Sequence, residues 1–355
     1  RIIKASILIL LGLIALLVLA VVVITATIDP NDYKTDIESA VGQHTTLTLT
    51  IDGDLGWSFI PLGIDVNNVT LKHSDGNTFT QLNQLSAQVG FLSLLKLSPQ
   101  VHKVILDGLE VTLEKNEQGE ANWDNITHKN EALPSSNSSE SPDPSVSDTD
   151  TQQSSENKTK SQLNLEVEEV AITNTTIHYT DKQTNQSVSL KDFNLLANNI
   201  TLGNEFPLDI QFSISNSRPQ LDVDAKINAA IKIDKNMNVF EVNKLQSNYQ
   251  LAGEVFNNKS VSASMNADTL LADLTKDTVS LNQFAVAFSN LALQADIEIQ
   301  NLSEQPQLKG SLTVPDFSLQ SLLASLGLPK IDTADPKVLQ KLGFSTQLQG
   351  SAEDL

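Results

Sequence analysis

LDVDAKINAAIKI, residues 221–233, alternates apolar and polar side chains along almost its whole length. Successive side chains of a β-strand point to opposite faces of the sheet, so this stretch predicts one apolar face and one wet face. A strand of roughly 13 residues spans about 40 Å and is well above the usual strand length. The stretch therefore predicts a sheet of long, one-sided strands.

The same period-two pattern recurs elsewhere in the chain. It is found at Leu47–Ile51, Leu109–Leu113, Leu163–Val167 and Leu291–Ile299. Turn-forming residues, such as Asp75–Asn77 and Asn257–Lys259, separate the runs. Alternation of this kind is typical of antiparallel sheets with one solvated face. We therefore predict a mainly β protein built from long antiparallel strands.

The apolar side chains of two of these runs are the candidate functional residues. They are Leu221, Val223, Ile227 and Ile231 in one run, and Leu291, Leu293, Ile297 and Ile299 in the other. One interpretation is the core of a β-sandwich or of a sheet covered by helices. The other is an open groove in a twisted sheet, whose dry face takes up acyl chains. The residues alone favour the core, and the scarcity of helical segments that could cover such long strands supports the groove without deciding between the two.

Helical spacing appears directly after residue 28. Asp29 fits an N-cap and Pro30 fits the first helical position, with Asp32 three residues after the cap. The apolar stripe of this helix consists of Tyr33, Ile37, Ala40 and Val41. We interpret the segment as a short helix that lies at a membrane exit and closes one end of the sheet.

Helical spacing returns near the C-terminus. The leucines of Leu319–Leu326 predict a second helix, which Gly327 ends. Asp335-Pro336 repeats the cap-then-proline start, and the apolar residues behind it predict a third helix; they are Val338, Leu339 and Leu342. Phe344–Leu348 then predicts a strand. Because the chain stops soon after that strand begins, we expect a fragment truncated at its C-terminus.

The N-terminus carries an uncharged apolar run, Ala5–Ile28. A helix of about 24 residues reaches roughly 36 Å, which is enough to cross the ~30 Å hydrocarbon core of a bilayer. Arg1 and Lys4 precede the run and Asp29 follows it, so the positive-inside rule predicts a cytoplasmic N-terminus. A cleavable signal peptide is the alternative, but its apolar region runs only about 7–15 residues. We predict a single transmembrane signal anchor with the body of the chain outside.

Composition limits the function classes. The 355 residues include 23 Lys and Arg against 43 Asp and Glu, a formal net charge of −20. This charge opposes binding to nucleic acid or to anionic headgroups by simple attraction. The chain contains no cysteine, which excludes disulfides, thiolate metal sites and cysteine nucleophiles.

One segment differs in kind from the rest. Residues 130–162 are rich in Ser, Asp, Glu, Pro, Asn and Gln and hold almost nothing apolar, so we expect a disordered insertion. The predicted organisation is an anchor at 1–28, a first β part at 29–129, the insertion at 130–162, and a continuation of the same β domain at 163–355.

No pattern in the sequence argues for catalysis. The five histidines show no metal-ligand spacing, and no nucleophile elbow, P-loop or Rossmann glycine pattern occurs. Asp222 and Asp224 are close enough in sequence to suggest a pair of catalytic carboxylates. On a strand, however, both side chains point to the solvated face. We therefore expect a non-enzyme without cofactor or metal.

Three segments, in this order behind an anchor, resemble the AsmA family of Gram-negative envelope proteins. They are Asp29–Tyr33 with Ile51–Trp57 and Pro61, the hairpin from Val104 through Gly119 to Asn122-Trp123, and Asp316–Leu326 followed by Thr333–Pro336 and Leu339. The family-motif residues are Asp29, Pro30, Asp32, Gly53, Gly108, Asn122, Trp123, Asp335 and Pro336. The resemblance covers nearly the whole chain except residues 130–162.

The resemblance implies a single-pass inner-membrane protein with a large periplasmic β-rich body and a role in outer-membrane biogenesis. The superfamily, which includes TamB-like proteins, is similar to bridge-type lipid conduits, and it carries no catalytic residues. We therefore expect a non-enzymatic phospholipid transfer module between the inner and outer membranes. The alternatives are a structural or chaperone-like factor that assists outer-membrane protein assembly, and an anchored envelope enzyme.

Overall fold

A computed structural model describes residues 27–59, 62–89, 101–124, 126–127, 166–335 and 337–351. This part of the chain is mainly β, as predicted, with 65% of it in strands. A 3-10 turn at Pro30–Tyr33 leads into helix α1, Lys34–His44, and a second short helix, α2, spans Leu319–Ser325. A further 3-10 turn lies at Glu254–Phe256.

The described residues form sixteen strands. They are β1 Thr48–Ile51, β2 Leu55–Phe59, β3 Leu62–Lys72, β4 Thr78–Val89, β5 Val101–Asp107, β6 Glu110–Lys115, β7 Glu166–Asp181, β8 Gln186–Thr201, β9 Glu205–Ser217, β10 Gln220–Ile233, β11 Val239–Gly253, β12 Val261–Asp273, β13 Thr278–Phe288, β14 Leu291–Gln300, β15 Gln307–Phe317 and β16 Leu342–Ser351. Six consecutive strands, β7 to β12, have 13 to 16 residues each, which confirms the long strands expected from the alternation.

All sixteen strands belong to one sheet. From β7 onward each strand pairs with the next in sequence, so the strand order follows the chain to β16. On the other side, β3 pairs with β1, β2 and β4, and β4 pairs with β5 and β6. The strands on the two sides of residues 130–162 therefore lie in the same sheet.

The purely antiparallel prediction was wrong at one place. β5 and β6 both pair with β7 in parallel register, for example Leu106 with Ile172 and Thr112 with His178. A parallel pair needs a long connection between its strands, whereas an antiparallel pair can be joined by a tight turn. The connection from Asn116 to Leu165 supplies that length.

The third predicted helix was also wrong. Residues 337–340 form a turn, and Leu342 begins β16, where it pairs with Phe317. Three apolar residues at helical spacing were too few to outweigh the backbone bonds that a sheet edge offers. The helix at Leu319 and the strand at Phe344 are confirmed.

Nearly all of the predicted N-terminal anchor falls in residues 1–26, which lie outside the described residues. The predicted insertion at 130–162 also lies outside them, within the stretch 128–165. Within the described ranges, no helix has the length and apolar character needed to cross a membrane.

Left-handed residues interrupt many of the strands. They are Asn68, Asn174, Asp192, Asn199, Lys244 and Gln283, with φ between 48° and 54°. The pairing register shifts beside several of them, as between Lys191 and Asn194 and between Leu281 and Phe284. Such bulges bend a strand and increase its twist. The sheet is thus bent within its strands rather than flat.

Candidate functional site

A row of cross-strand partners joins twelve strands from β2 to β14. In order it consists of Leu55, Val66, Leu85, Leu106, Ile172, Leu195, Ile210, Ile227, Ser247, Met265, Val286 and Leu293. Directly paired residues of neighbouring strands lie on the same face of the sheet. Every member except Ser247 is apolar. With strands about 4.8 Å apart, this apolar row extends roughly 50 Å across the sheet.

The apolar row brings the two sets of predicted groove residues together. Ile227 of β10 and Leu293 of β14 are members of it, although 66 residues separate them in sequence. A second row joins Ile231 to Ile297 through Val242, Leu270 and Leu281. Since Leu221, Val223, Leu291 and Ile299 alternate in step with these residues, all eight candidates share one face.

The side chains of the eight candidates are only partly buried. Ile227, Ile231, Leu293 and Ile297 are all half-buried, and so are the other four candidates. In the described ranges the largest fully buried side chains are those of two serines, Ser86 and Ser247. A closed core encloses Leu, Ile and Phe side chains fully. The face therefore has the burial of an incompletely covered apolar surface.

The buried residues of the face include large ones, such as Val261, Leu245 and Phe206, and several small ones. Ala225 is 1% exposed, and the register places it between Phe212 of β9 and Tyr249 of β11. Ala267 and Ala295 are 4% exposed in the same way. The larger side chains of the neighbouring strands thus cover Ala225.

On β10 and β14 the opposite face is polar and solvated. Asp222, Asp224 and Lys226 are exposed on β10, and Asp296 and Glu298 are exposed on β14. The Asp224 carboxylate accepts a hydrogen bond of 2.5 Å from Ser213 Oγ on the neighbouring strand. Asp222 and Asp224 lie at the positions expected for a wet face.

The first family-motif segment fixes the N-terminal turn to the sheet. Asp29 Oδ1 accepts from Asn31 N at 2.9 Å, which confirms the predicted cap. Asn31 then exchanges two hydrogen bonds with the backbone of Leu55, at 3.0 Å and 3.1 Å. The indole Nε1 of Trp57 donates to the carbonyl oxygen of Ile28 at 2.9 Å. The apolar row begins at Leu55, so its first member is bonded directly to this turn.

Two motif glycines allow the backbone to approach closely. A Cβ at Gly53 would lie 2.4 Å from the carbonyl oxygen of Asn67, and one at Gly108 would lie 2.0 Å from Asn83 Nδ2. Gly53 lies between β1 and β2, and Gly108 lies between β5 and β6, which run in the same direction beside β7. These motif residues therefore have structural roles.

The motif pair Asn122-Trp123 finishes the hairpin that follows β6. Asn122 Oδ1 accepts from Glu114 N at 2.9 Å, and its Nδ2 donates to Thr112 O at 2.9 Å. The Trp123 ring lies against Tyr179, with ring centroids 6.1 Å apart. The amide side chain thus supplies strand-like hydrogen bonds to β6.

Comparison with known protein families decides the identity of the chain. The family model described as AsmA family matches residues 1–352. The chain belongs to the AsmA family. Searches of curated proteins and of solved structures each returned no match. Membership in the AsmA family implies, in general terms, a membrane-associated role in envelope biogenesis.

The remaining motif residues of the AsmA resemblance are also structural where they are described. Asp335 Oδ1 accepts from Lys337 N at 2.9 Å and holds the turn before β16. Asp32 is exposed, and its amide donates to Asp29 O at 3.1 Å. Pro30 occupies the start of the first turn. Pro336 lies outside the described residues.

Sequence reasoning missed a large part of the face in this AsmA-family chain. β9 contributes apolar residues opposite β10; they are Phe206, Leu208, Ile210, Phe212 and Ile214. Their alternation with Pro207, Asp209, Gln211 and Ser213 was a visible signal. Isolated members such as Met265 and Val286 carried no such signal, because only the strand register places them on the face.

Proposed function

We propose that this AsmA-family chain is a non-enzymatic lipid-handling protein, a phospholipid transfer or bridge module between the inner and outer membranes. In this proposal Ala5–Ile28 anchors the chain in the bacterial inner membrane as a single pass. The N-terminus is cytoplasmic and the β-rich body is periplasmic. The activity needs no cofactor, no metal and no catalytic residue.

The observation that carries the proposal is the apolar row from Leu55 to Leu293, in which every member except the buried Leu55 and Ser247 is half-buried. An acyl chain laid against such a surface gains about 0.8 kcal/mol for each CH₂ removed from water. The headgroup would remain in solvent at the edge of the face. The polar reverse face keeps the outside of the sheet compatible with an aqueous compartment.

Photocrosslinking tests the proposal on matched pairs of positions. A photoreactive side chain at Ile227 or Leu293 samples the apolar face, and one at Asp224 or Asp296 samples the wet face of the same strand. We expect phospholipid adducts, identified by mass spectrometry, at the first pair and not at the second. Equal capture at both pairs would overturn the groove.

The second candidate is a structural or chaperone-like factor that assists outer-membrane protein assembly. One observation favours it, since β16 is the last of the described strands in the sheet order and has five consecutive exposed residues, Gly343–Gln347. An edge strand can accept an added strand from another protein. Pull-downs that recover β-barrel precursors without any lipid would favour this candidate over lipid transfer.

A further inference from the structure

Lys34, Glu38 and Val41 are the half-buried residues of helix α1, and its other residues, Ile37 and Ala40 among them, are exposed. Glu38 Oε1 accepts from Ile51 N at 2.8 Å, and the half-buried Lys34 places its Nζ 3.9 Å from Asp54. In contrast, Tyr33 is 53% exposed and Ile37 is 39% exposed. A helix at the surface of a soluble domain normally turns its apolar residues towards the protein.

The exposed stripe continues the end of the apolar N-terminal run. Ile28 is 40% exposed, and the run Ala5–Ile28 ends there, immediately before the turn that starts α1. The Trp57 indole is held against the Ile28 carbonyl. A tyrosine, a tryptophan and two isoleucines thus lie around the point where the chain leaves its apolar segment.

We propose that the exposed stripe formed by Tyr33, at the end of the first turn, and by Ile37 and Ala40 of α1 lies in the headgroup region of a bilayer and seats the first edge of the sheet on the membrane. Tyr and Trp favour that region because one end of each ring system is apolar and the other is polar. The neighbouring Asp32 and Asp36 are exposed beside the stripe. Apolar contact with a zwitterionic lipid surface therefore drives the docking, and charge attraction does not.

This seating goes beyond lipid transfer and does not depend on it. It would place the start of the apolar row, at Leu55, next to the membrane, since Asn31 ties Leu55 to the turn that precedes α1. A protein that only tethers a chaperone to the membrane could have the same contact. A result that overturns the membrane contact would therefore leave the lipid-transfer proposal standing. A result that overturns lipid transfer would likewise leave the membrane contact standing.

Spin labelling of the full chain tests the seating, because a chain without cysteine accepts single-cysteine labels cleanly. Labels at Ile37→Cys and Ala40→Cys probe the stripe, and labels at Thr35→Cys and Ser39→Cys probe another side of the same helix. All four residues are exposed, so the labels should not disturb folding. The protein is reconstituted into vesicles of phosphatidylcholine and phosphatidylethanolamine, and collisions with oxygen and with a water-soluble nickel chelate are compared.

We expect high oxygen and low nickel accessibility at positions 37 and 40, with the reverse at 35 and 39. High nickel accessibility at all four positions would overturn the proposal. Low accessibility to both reagents at 37 would also overturn it, since this result indicates cover by the chain's own residues. Spin–spin broadening at 37 that disappears on dilution with unlabelled protein would assign the stripe to a second copy instead.

Discussion

Gly108 joins β5 to β6 with φ at +67°, in the left-handed region that residues with a Cβ avoid. We expect Gly108→Ala to lower the free energy of unfolding by about 1–2 kcal/mol through backbone strain, and further through the collision with Asn83. Gly42→Ala in α1 is the control, since no atom lies within 4 Å of its added Cβ. It should raise stability by about 0.5–1 kcal/mol. Denaturant unfolding measures both, and shifts of the same sign would contradict these roles.

The hairpin between β12 and β13 depends on one carboxylate. Asp273 Oδ1 accepts from Thr275 Oγ1 at 2.6 Å and from Lys276 N at 3.0 Å, and Lys276 Nζ lies 2.9 Å from Oδ2. The hydrogen bonds from Thr275 and Lys276 hold the pKa of Asp273 well below its ordinary value. A depressed pKa means that the ionised form is favoured in the folded state.

The contribution of Asp273 to stability should therefore depend on pH. It is fully present above the unfolded pKa of about 3.9 and is lost as the pH falls further, towards the folded pKa. We expect Asp273→Asn to lower the thermal midpoint at pH 7, and the difference from the wild type to shrink below about pH 4. Thermal unfolding followed by circular dichroism at several pH values measures this. A difference that stays constant across the range would show that the carboxylate's charge is irrelevant.

At the scale of single residues, local patterns were predictable and long-range partners were not. Asp29 was expected as a cap because its partner lies two residues away. The bonds from Asn31 to Leu55 span 24 residues, and no local pattern contains them. For the same reason the sequence identified Gly108 as a motif residue, but it did not show that a Cβ at this position would collide with the Asn83 side chain.

At the scale of elements, the parallel pairing of β5 with β7 is the feature that most constrains the topology. Lys103 and Glu169 are register partners, and Lys103 Nζ lies 3.4 Å from Glu169 Oε2. We expect a short bis-thiol reagent to join cysteines placed at 103 and 169. Cysteines at 103 and 173 should not be joined, because four residues along a strand separate them by about 13 Å. Peptide mapping reads out both pairs, and efficient linkage of the second pair alone would contradict the parallel register.

The strands and helices were predicted from the spacing of apolar residues along the chain. The errors arose because this spacing does not show in which direction neighbouring strands run. Alternation at Leu221–Ile233 and Leu291–Ile299 identified β10 and β14 nearly to their ends. Alternation is the same in parallel and antiparallel strands, so the pairing of β5 with β7 could not be read from it. The stripe of Tyr33 and Ile37 was visible from its spacing, but spacing does not say whether a stripe faces protein or membrane.

At the scale of the whole molecule, the apolar row is a property of the sheet and of no single strand. Sequence reasoning selected residues from β10 and β14 and left open whether they were core or groove. Two observations bear on the choice between core and groove: one sheet contains all sixteen described strands, and the largest fully buried side chains among the described residues are serines. Both depend on the register of the strands and on side-chain packing, which cannot be read from the residue composition or from the spacing of apolar residues.

The most direct test is whether the apolar row acts as one continuous path. Ile227→Asp places a charge in the row between its N-terminal end and Leu293, and Lys226→Asp places the same charge on the adjacent residue of the wet face. Phospholipid captured by a photoreactive side chain at position 293 is measured in both backgrounds. Continuous passage along the row predicts that capture falls strongly with Ile227→Asp and is retained with Lys226→Asp. Undiminished capture at position 293 behind the Ile227→Asp barrier would contradict it.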